Sequence, residues 1–402
     1  MEQVWFSAAL WLGLALAATL FSIWLRISVA LTEIVVGTVA QLIIGAALGP
    51  KALDANESWV KFLAGVGAIV LTFLAGAELD PKSFLRDWRQ ATLIGLVSFA
   101  VPFVGAAAAA KLLLGWNSNA AWLAGVAMST TSVAVVYAVM LELGLNRTQF
   151  GKVILAACFI TDLGTVIALG LLFAPFTWRT ALFAGGLVVA MFVLLKLTRP
   201  FFRLYGGRTS ELEAKYLLFW LFALGGAAVW AGSEAVLPAY LIGIILAGTV
   251  GRDHALVRRL RTLTFGLLTP FYFIRAGSLV QLPALRAGFG TFLVLLAVKM
   301  AAKFIGVYPA CRTFRYARSE AMYTTLLMST GLTFGTISAL YGLSHDIISS
   351  AQYSLLVAAV IASAVVPTWI ANRFFLPHHH VEVARETLVE SAMATTVMAG
   401  VQ

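Results

Sequence analysis

Asp162 is the one charged residue in an apolar run from Val153 to Phe176, near the middle of a stretch long enough to cross a bilayer. A charge at the bilayer centre costs about 2.5 to 3.5 kcal/mol on insertion scales, so this carboxyl should face the protein interior or a water-filled cavity. Desolvation favours the protonated form of a carboxyl and a nearby cation favours the ionised form, so a proton and a cation compete for one group. A carboxyl hydrogen-bonded to a neighbouring helix would be structural instead. Intramembrane acids more often mark an ion path.

Two further groups could serve such a site. Lys299 and Lys303 lie four apart in Phe292-Leu-Val-Leu-Leu-Ala-Val-Lys-Met-Ala-Ala-Lys-Phe-Ile-Gly306, and therefore on one helix face. They read as charge-compensating partners of Asp162, with snorkelling towards the basic helix end as the alternative for Lys303. Arg275, at the end of Phe271-Tyr-Phe-Ile-Arg, reads as one half of a structural ion pair with Glu33 or Glu78. Two hydroxyl clusters, Ser129-Thr-Thr-Ser132 and Ser329-Thr-Gly-Leu-Thr-Phe-Gly335, interrupt otherwise apolar runs. Such hydroxyls can bond their own helix or glue a neighbour. Matched interruptions in equivalent helices point instead to broken helices, here at Thr130, Thr330, Gly331 and Thr333.

The elements that position these residues follow from composition. Hydrophobic residues make up 61% of the chain and charged residues 11%, against roughly 25% charged for a soluble domain. The fold class is therefore an all-α membrane protein, with about thirteen transmembrane helices: 4–25, 28–48, 59–78, 91–113, 119–140, 151–174, 178–198, 214–232, 235–250, 263–281, 288–309, 320–343 and 347–375. Residues 1–375 read as one membrane transport domain and 376–402 as a short cytoplasmic tail. The first run has only Met-Glu-Gln before it and reads as a retained span, not a cleaved signal.

With the N-terminus outside, twenty of the 28 Lys and Arg residues fall in inside loops and five outside. That asymmetry gives an N-out, C-in protein of the inner, cytoplasmic membrane. It also accounts for the net charge of +10 as a topology signal, leaving no case for nucleic acid. Cys158 and Cys311 sit in apolar helical contexts and read as buried thiols. There is no metal-ligand spacing, no cofactor motif, and no histidine to match the midplane serines, so an enzyme is not expected. His378-His-His380 reads as interfacial.

An odd helix count with the seventh at the centre sets two six-helix halves in opposite orientation. Helices 3 and 10 share an Ala-Gly step, in Leu74-Ala-Gly-Ala-Glu-Leu79 and Arg275-Ala-Gly-Ser-Leu279. This favours an inverted-repeat transporter with two broken crossing helices and a site near the midplane.

At these residues the chain resembles the monovalent cation:proton antiporters, especially the bacterial sodium/proton antiporter branch. The resemblance runs from about Val29 to Phe375. It rests on Thr32-Glu-Ile-Val-Val-Gly-Thr38 leading to Leu48-Gly-Pro50, Phe73-Leu-Ala-Gly-Ala-Glu-Leu-Asp80, Ser129-Thr-Thr-Ser-Val-Ala-Val-Val136, the Gly151–Asp162 segment and Ala302-Lys-Phe-Ile-Gly306.

It implies that Asp162 is the ion-binding acid, Thr131 the unwound-helix threonine and Lys303 the membrane lysine, with Thr161 and Ser132 as further oxygen ligands. It also implies a homodimer in lipid. A dimerisation scaffold (helices about 4–78 and 214–281) and a core that moves like an elevator (about 91–174 and 288–375) are joined by a linker helix (about 178–198). Where the family has Asp-Asp or Asn-Asp, this chain has Thr161-Asp162. With one carboxylate, the expected activity is electroneutral exchange of Na+ or K+, and also Li+, for H+. The alternative is a sodium-coupled symporter of a small anion on a related fold, which would use Arg275 as an anion ligand.

Overall fold

The computed structural model describes residues 2–25, 29–48, 53–77, 86–173, 177–207, 211–233, 235–251, 253–377 and 379–380, and among them every regular element is a helix. In the first half these are α1 Glu2–Leu25, α2 Val29–Leu48, α3 Ser58–Ala77, α4 Trp88–Leu112, α5 Ser118–Ser129, α6 Val133–Glu142, α7 Gln149–Phe173 and α8 Trp178–Tyr205. The second half has α9 Leu212–Trp230, α10 Val236–Leu246, α11 His254–Leu263, α12 Thr269–Ser278, α13 Leu282–Ala287, α14 Phe289–Thr313, α15 Arg318–Met328, α16 Thr333–Ser344 and α17 Ser350–Phe374. Nine helical stretches among the described residues are long and apolar enough to span a membrane, and Val29–Gly45 and Val236–Leu246 are shorter apolar helices.

Each of the stretches read from hydropathy contains a helix, and two are broken in the middle. The run 119–140 is the pair α5 and α6, interrupted at 130–132; the run 320–343 is α15 and α16, interrupted at 329–332. Thr130 is extended, with φ −62° and ψ 152°.

One boundary differs from the sequence reading. The basic segment taken as the loop before residue 263 is helix α11, which runs through a π turn, Thr264–Leu268, into α12. Asp253 caps it by accepting from the Leu256 amide at 3.0 Å. Leu256, Val257 and Leu260 bury one face while Arg258 and Arg259 stay exposed. Its arginines had lowered the hydropathy of the window below that of a span.

The packing falls into two groups. In one, α2 runs along α12 and α3 along α10, with backbones in near contact. A Cβ on Gly37 would strike the Ile274 carbonyl and one on Gly277 the Ile34 carbonyl, and Gly76 and Gly243 face each other in the same way. Small residues allow this approach, and dispersion between the backbones holds it. In the other group α4 runs along α5, α7 and α14, while α17 packs on α14, α15 and α16. Helix α8 touches α9 and α10. A hydrogen bond from Tyr240 Oη in α10 to the Phe159 carbonyl in α7, at 2.9 Å, crosses between the groups.

Segments assigned to one side of the membrane by charge also meet in space. Gln149 donates to Asp87, Arg259 pairs with Glu211, Tyr316 donates to Gln90 and His380 pairs with Glu320, all within the basic set of loops. At the opposite ends, Arg275 bonds the Ala55 carbonyl, Thr180 bonds Ala231, and the Gln281 amide bonds Ser354. The alternation of helix direction is thus present in the contacts themselves.

Candidate ion-binding site at the helix crossing

The two breaks face each other. The Ser132 amide donates to the Thr330 carbonyl at 2.8 Å, Thr131 Oγ1 donates to the Met328 carbonyl at 2.8 Å, and the hydroxyls of Ser132 and Thr333 lie 3.1 Å apart. Breaking a helix frees carbonyls at its C-terminal end, and buried carbonyls need partners. Here the hydroxyls in the clusters supply them. Ser129 and Thr130 donate to Val126 and Ala127, and Ser329 and Thr330 donate to Thr325 and Leu327, each at 2.8 to 3.1 Å. Ser129, Thr130, Thr131, Ser132, Ser329 and Thr330 are wholly buried.

Lys303 reaches this crossing from α14. Its Nζ donates to Ser98 Oγ at 2.8 Å, the Ser129 carbonyl at 2.8 Å and Thr131 Oγ1 at 3.0 Å. An ammonium therefore sits at the C-terminal end of half-helix α5, where the helix dipole favours positive charge. Lys299, one turn earlier, is also fully buried, and among the described residues its Nζ has no hydrogen-bond partner. It lies against the other break: a Cβ on Gly331 would collide with Lys299 Nζ and with the Thr130 carbonyl at 2.7 Å.

Asp162 lies in α7, 1% exposed, and its Oδ1 has no hydrogen-bond partner among the described residues. It forms no contact ion pair there; the described pairs are Arg86 with Asp87, Arg259 with Glu211 and His380 with Glu320. Cys158 Sγ approaches Met328 Sδ at 3.6 Å, which sets this stretch of α7 against the end of α15. Thr161 Oγ1 points towards α4, within 3.2 Å of the Gly95 carbonyl and 3.0 Å of its own Ala157 carbonyl.

The residues singled out in the sequence are thus gathered unequally. Thr130, Thr131, Ser132, Thr330, Gly331, Thr333, Lys299 and Lys303 converge on the crossing, and Asp162 lies one turn beyond Cys158, which meets Met328 at the end of α15. Among the described residues Arg275 forms no ion pair with Glu33: its Nε donates to the Ala55 carbonyl at 2.9 Å, drawn outwards to the loop before α3. Glu33 is buried and has no ion pair among the described residues, and Glu78 lies outside them. Ser98 and Tyr240 were not foreseen. Ser98 had a signal, an isolated hydroxyl in the apolar run 91–113.

Thr131 is the hydroxyl that ties the most together. In Thr131→Val the Met328 carbonyl and one Lys303 N–H lose their partner inside a dry core, at about 1 to 3 kcal/mol. The expected result is a lower thermal unfolding midpoint in detergent, largely restored in Thr131→Ser.

Known proteins frame this geometry. Residues 10–375 match the family model described as sodium/hydrogen exchanger, transmembrane. The chain is 26% identical over 352 residues to the probable Na(+)/H(+) antiporter 3 of Methanocaldococcus jannaschii, covering 83% of this chain and 89% of that protein. It is 24% identical over 372 residues to the Na(+)/H(+) antiporter NhaS4 of Synechocystis, covering 84% and 90%. Against cation/H(+) antiporter 17 of Arabidopsis thaliana it is 25% identical but spans only 45% of that longer protein. The fold is that of the sodium proton antiporter MjNhaP1 from Methanocaldococcus jannaschii at pH 8, with a TM-score of 0.71 at 16% identity over 94% of this chain and 98% of that one. The chain belongs to the transmembrane sodium/hydrogen exchanger family.

Proposed function

We propose that the protein is a secondary active antiporter that exchanges Na+ or K+ for H+, one for one, at Asp162. The observation that carries this reading is a single wholly buried carboxyl with an unpartnered oxygen, beside two broken helices and a lysine held by neutral oxygens. A buried acid without a fixed partner is costly unless something binds it. A proton or a monovalent cation each neutralises it, and the site cannot hold both.

Lys303 and Asp162 would divide the labour. Lys303 makes three hydrogen bonds to oxygens, so its charge serves the helix break and lowers the cost of ionising Asp162 without occupying it. Thr131, Ser132 and Thr161 have hydroxyl oxygens with lone pairs to offer, and crossing carbonyls complete an oxygen shell for a hard cation. Thr161 supplies no charge, so one proton is exchanged for one cation. The core would cross only with a proton or a cation bound at the Asp162 carboxylate, which couples the two fluxes.

The packing supports an elevator. The group of α1–α3 and α9–α12, tied by backbone contacts at glycines, would be the dimerisation scaffold of a homodimer. The group of α4–α7 and α14–α17 would be the moving core, and α8 the linker. The charge asymmetry of the loops supports the inner membrane, N-out and C-in.

The test is exchange in proteoliposomes across a cation series, with the membrane potential clamped or free. Na+, Li+ or K+ should dissipate an imposed pH gradient, at the same rate with and without the clamp. No effect of any of these cations contradicts antiport. A rate that depends on the clamp contradicts one-for-one exchange.

A further inference from the structure

We propose that a cavity between α3, α10, α12 and α16 binds a small monovalent inorganic anion, and that an anion there fastens α16 to the α3–α12 face. The cavity has a volume of about 140 Å³ and is lined by Lys61, Gly65, Tyr272, Arg275, Ile337 and Tyr341 among others. Among the described residues that line it, Lys61 and Arg275 are the only ionisable groups other than tyrosines, and none of them is a carboxylate. Asp54 and Glu57, in the preceding loop, line a separate cavity.

Arg275 is the floor group. It is 8% exposed, and its one hydrogen bond among the described residues is from Nε to the Ala55 carbonyl. Neither Nη group has a hydrogen-bond partner among the described residues, the side chain lines the cavity, and neither Arg275 nor Lys61 has an ion pair among those residues. A guanidinium buried without an acid is costly, and an anion between it and Lys61 offsets that cost. Two cations repel the transported cation, so this space does not belong to the cation route. Its size admits a halide or nitrate with several waters, whereas the bulkier, strongly hydrated gluconate enters a partly apolar space less readily.

The walls belong to different bodies. Lys61, Gly65, Tyr272 and Arg275 come from α3 and α12, whereas Ile337 and Tyr341 come from α16, the outer half of a broken helix. An anion bound between them stabilises this arrangement over any in which α16 has moved. This second part rests on the proposed movement of the core; the binding site does not.

Two measurements separate these parts. Equilibrium binding of radioactive chloride to the purified protein should saturate, and should be lost in Arg275→Gln and in Gly65→Leu. The leucine fills the space without touching charge, because a Cβ on Gly65 meets nothing within 4 Å. In vesicles at constant ionic strength, replacing gluconate by chloride should slow sodium-driven proton exchange about five-fold or more, a typical coupling between sites. Both variants should exchange in chloride at the wild-type gluconate rate. No saturable binding, or binding unchanged in both variants, overturns the site. Equal wild-type rates in the two anions, or cation flux that needs chloride, overturns the locking role. No exchange in either anion would count against antiport, while the binding result would stand on its own.

Discussion

Asp162→Asn should reduce cation-driven proton movement in vesicles to the level of empty liposomes, with the protein still folded. Asparagine keeps the shape of the carboxyl but has no negative charge for which a proton and a cation could compete, which removes the exchange. No described hydrogen bond or ion pair within 4 Å depends on the Asp162 carboxylate. Removing its charge from a dry interior also removes a desolvation cost. The thermal midpoint in detergent should therefore be equal to or above that of the wild type. Loss of transport with retained folding distinguishes an ion site from a structural acid, whose removal would lower both.

Gly331→Val should cost more stability than any other single methyl-scale change at the crossing. A Cβ at this position would collide with Lys299 Nζ, approach Thr130 Oγ1 at 2.5 Å and the Thr130 carbonyl at 2.7 Å. The lysine end could swing away, but the carbonyl belongs to the opposite break and can move only with its backbone. Overpacking of this kind costs typically 1 to 3 kcal/mol, and a branched side chain stands at the upper end. The separation of the two breaks also removes the close approach on which the bond from the Ser132 amide to the Thr330 carbonyl depends. The expected result is a markedly lower unfolding midpoint and little exchange. Gly185→Ala is the matched control, since a Cβ there meets nothing within 4 Å and alanine favours a helix interior. Equal midpoints for the two variants would contradict the assigned crossing.

Much of this architecture is legible in the sequence, because hydropathy and hydroxyl clustering report on depth and interruption. The runs containing Ser129-Thr-Thr-Ser132 and Ser329-Thr-Gly331 are broken where their polar residues lie. What a linear pattern does not hold is the azimuth at which one helix meets another. Lys303 reads as a charge-compensating partner of Asp162, yet its ammonium goes to Ser98, the Ser129 carbonyl and Thr131, and among the described residues it forms no contact ion pair with the acid. Arg275 and Glu33 are both buried and form no ion pair among the described residues, because the choice of a carbonyl at Ala55 depends on a loop fold. Helix α11 was read as a loop for a different reason: a window tuned to spans discards an amphipathic helix with arginines on its exposed face. Thr161, the residue before the acid, spends its hydroxyl proton on backbone carbonyls of α4 or α7. The single charge at Asp162 is therefore the property that most shapes the proposed stoichiometry.

The most direct test of that property is proton release on cation binding, measured with purified protein in weakly buffered detergent solution. If a proton and a cation compete for Asp162, adding a saturating Na+, Li+ or K+ salt at a pH where the site is protonated should release up to about one proton per chain. Asp162→Asn should release none. No release from the wild type with any of these cations, or an unchanged release from Asp162→Asn, would contradict the account.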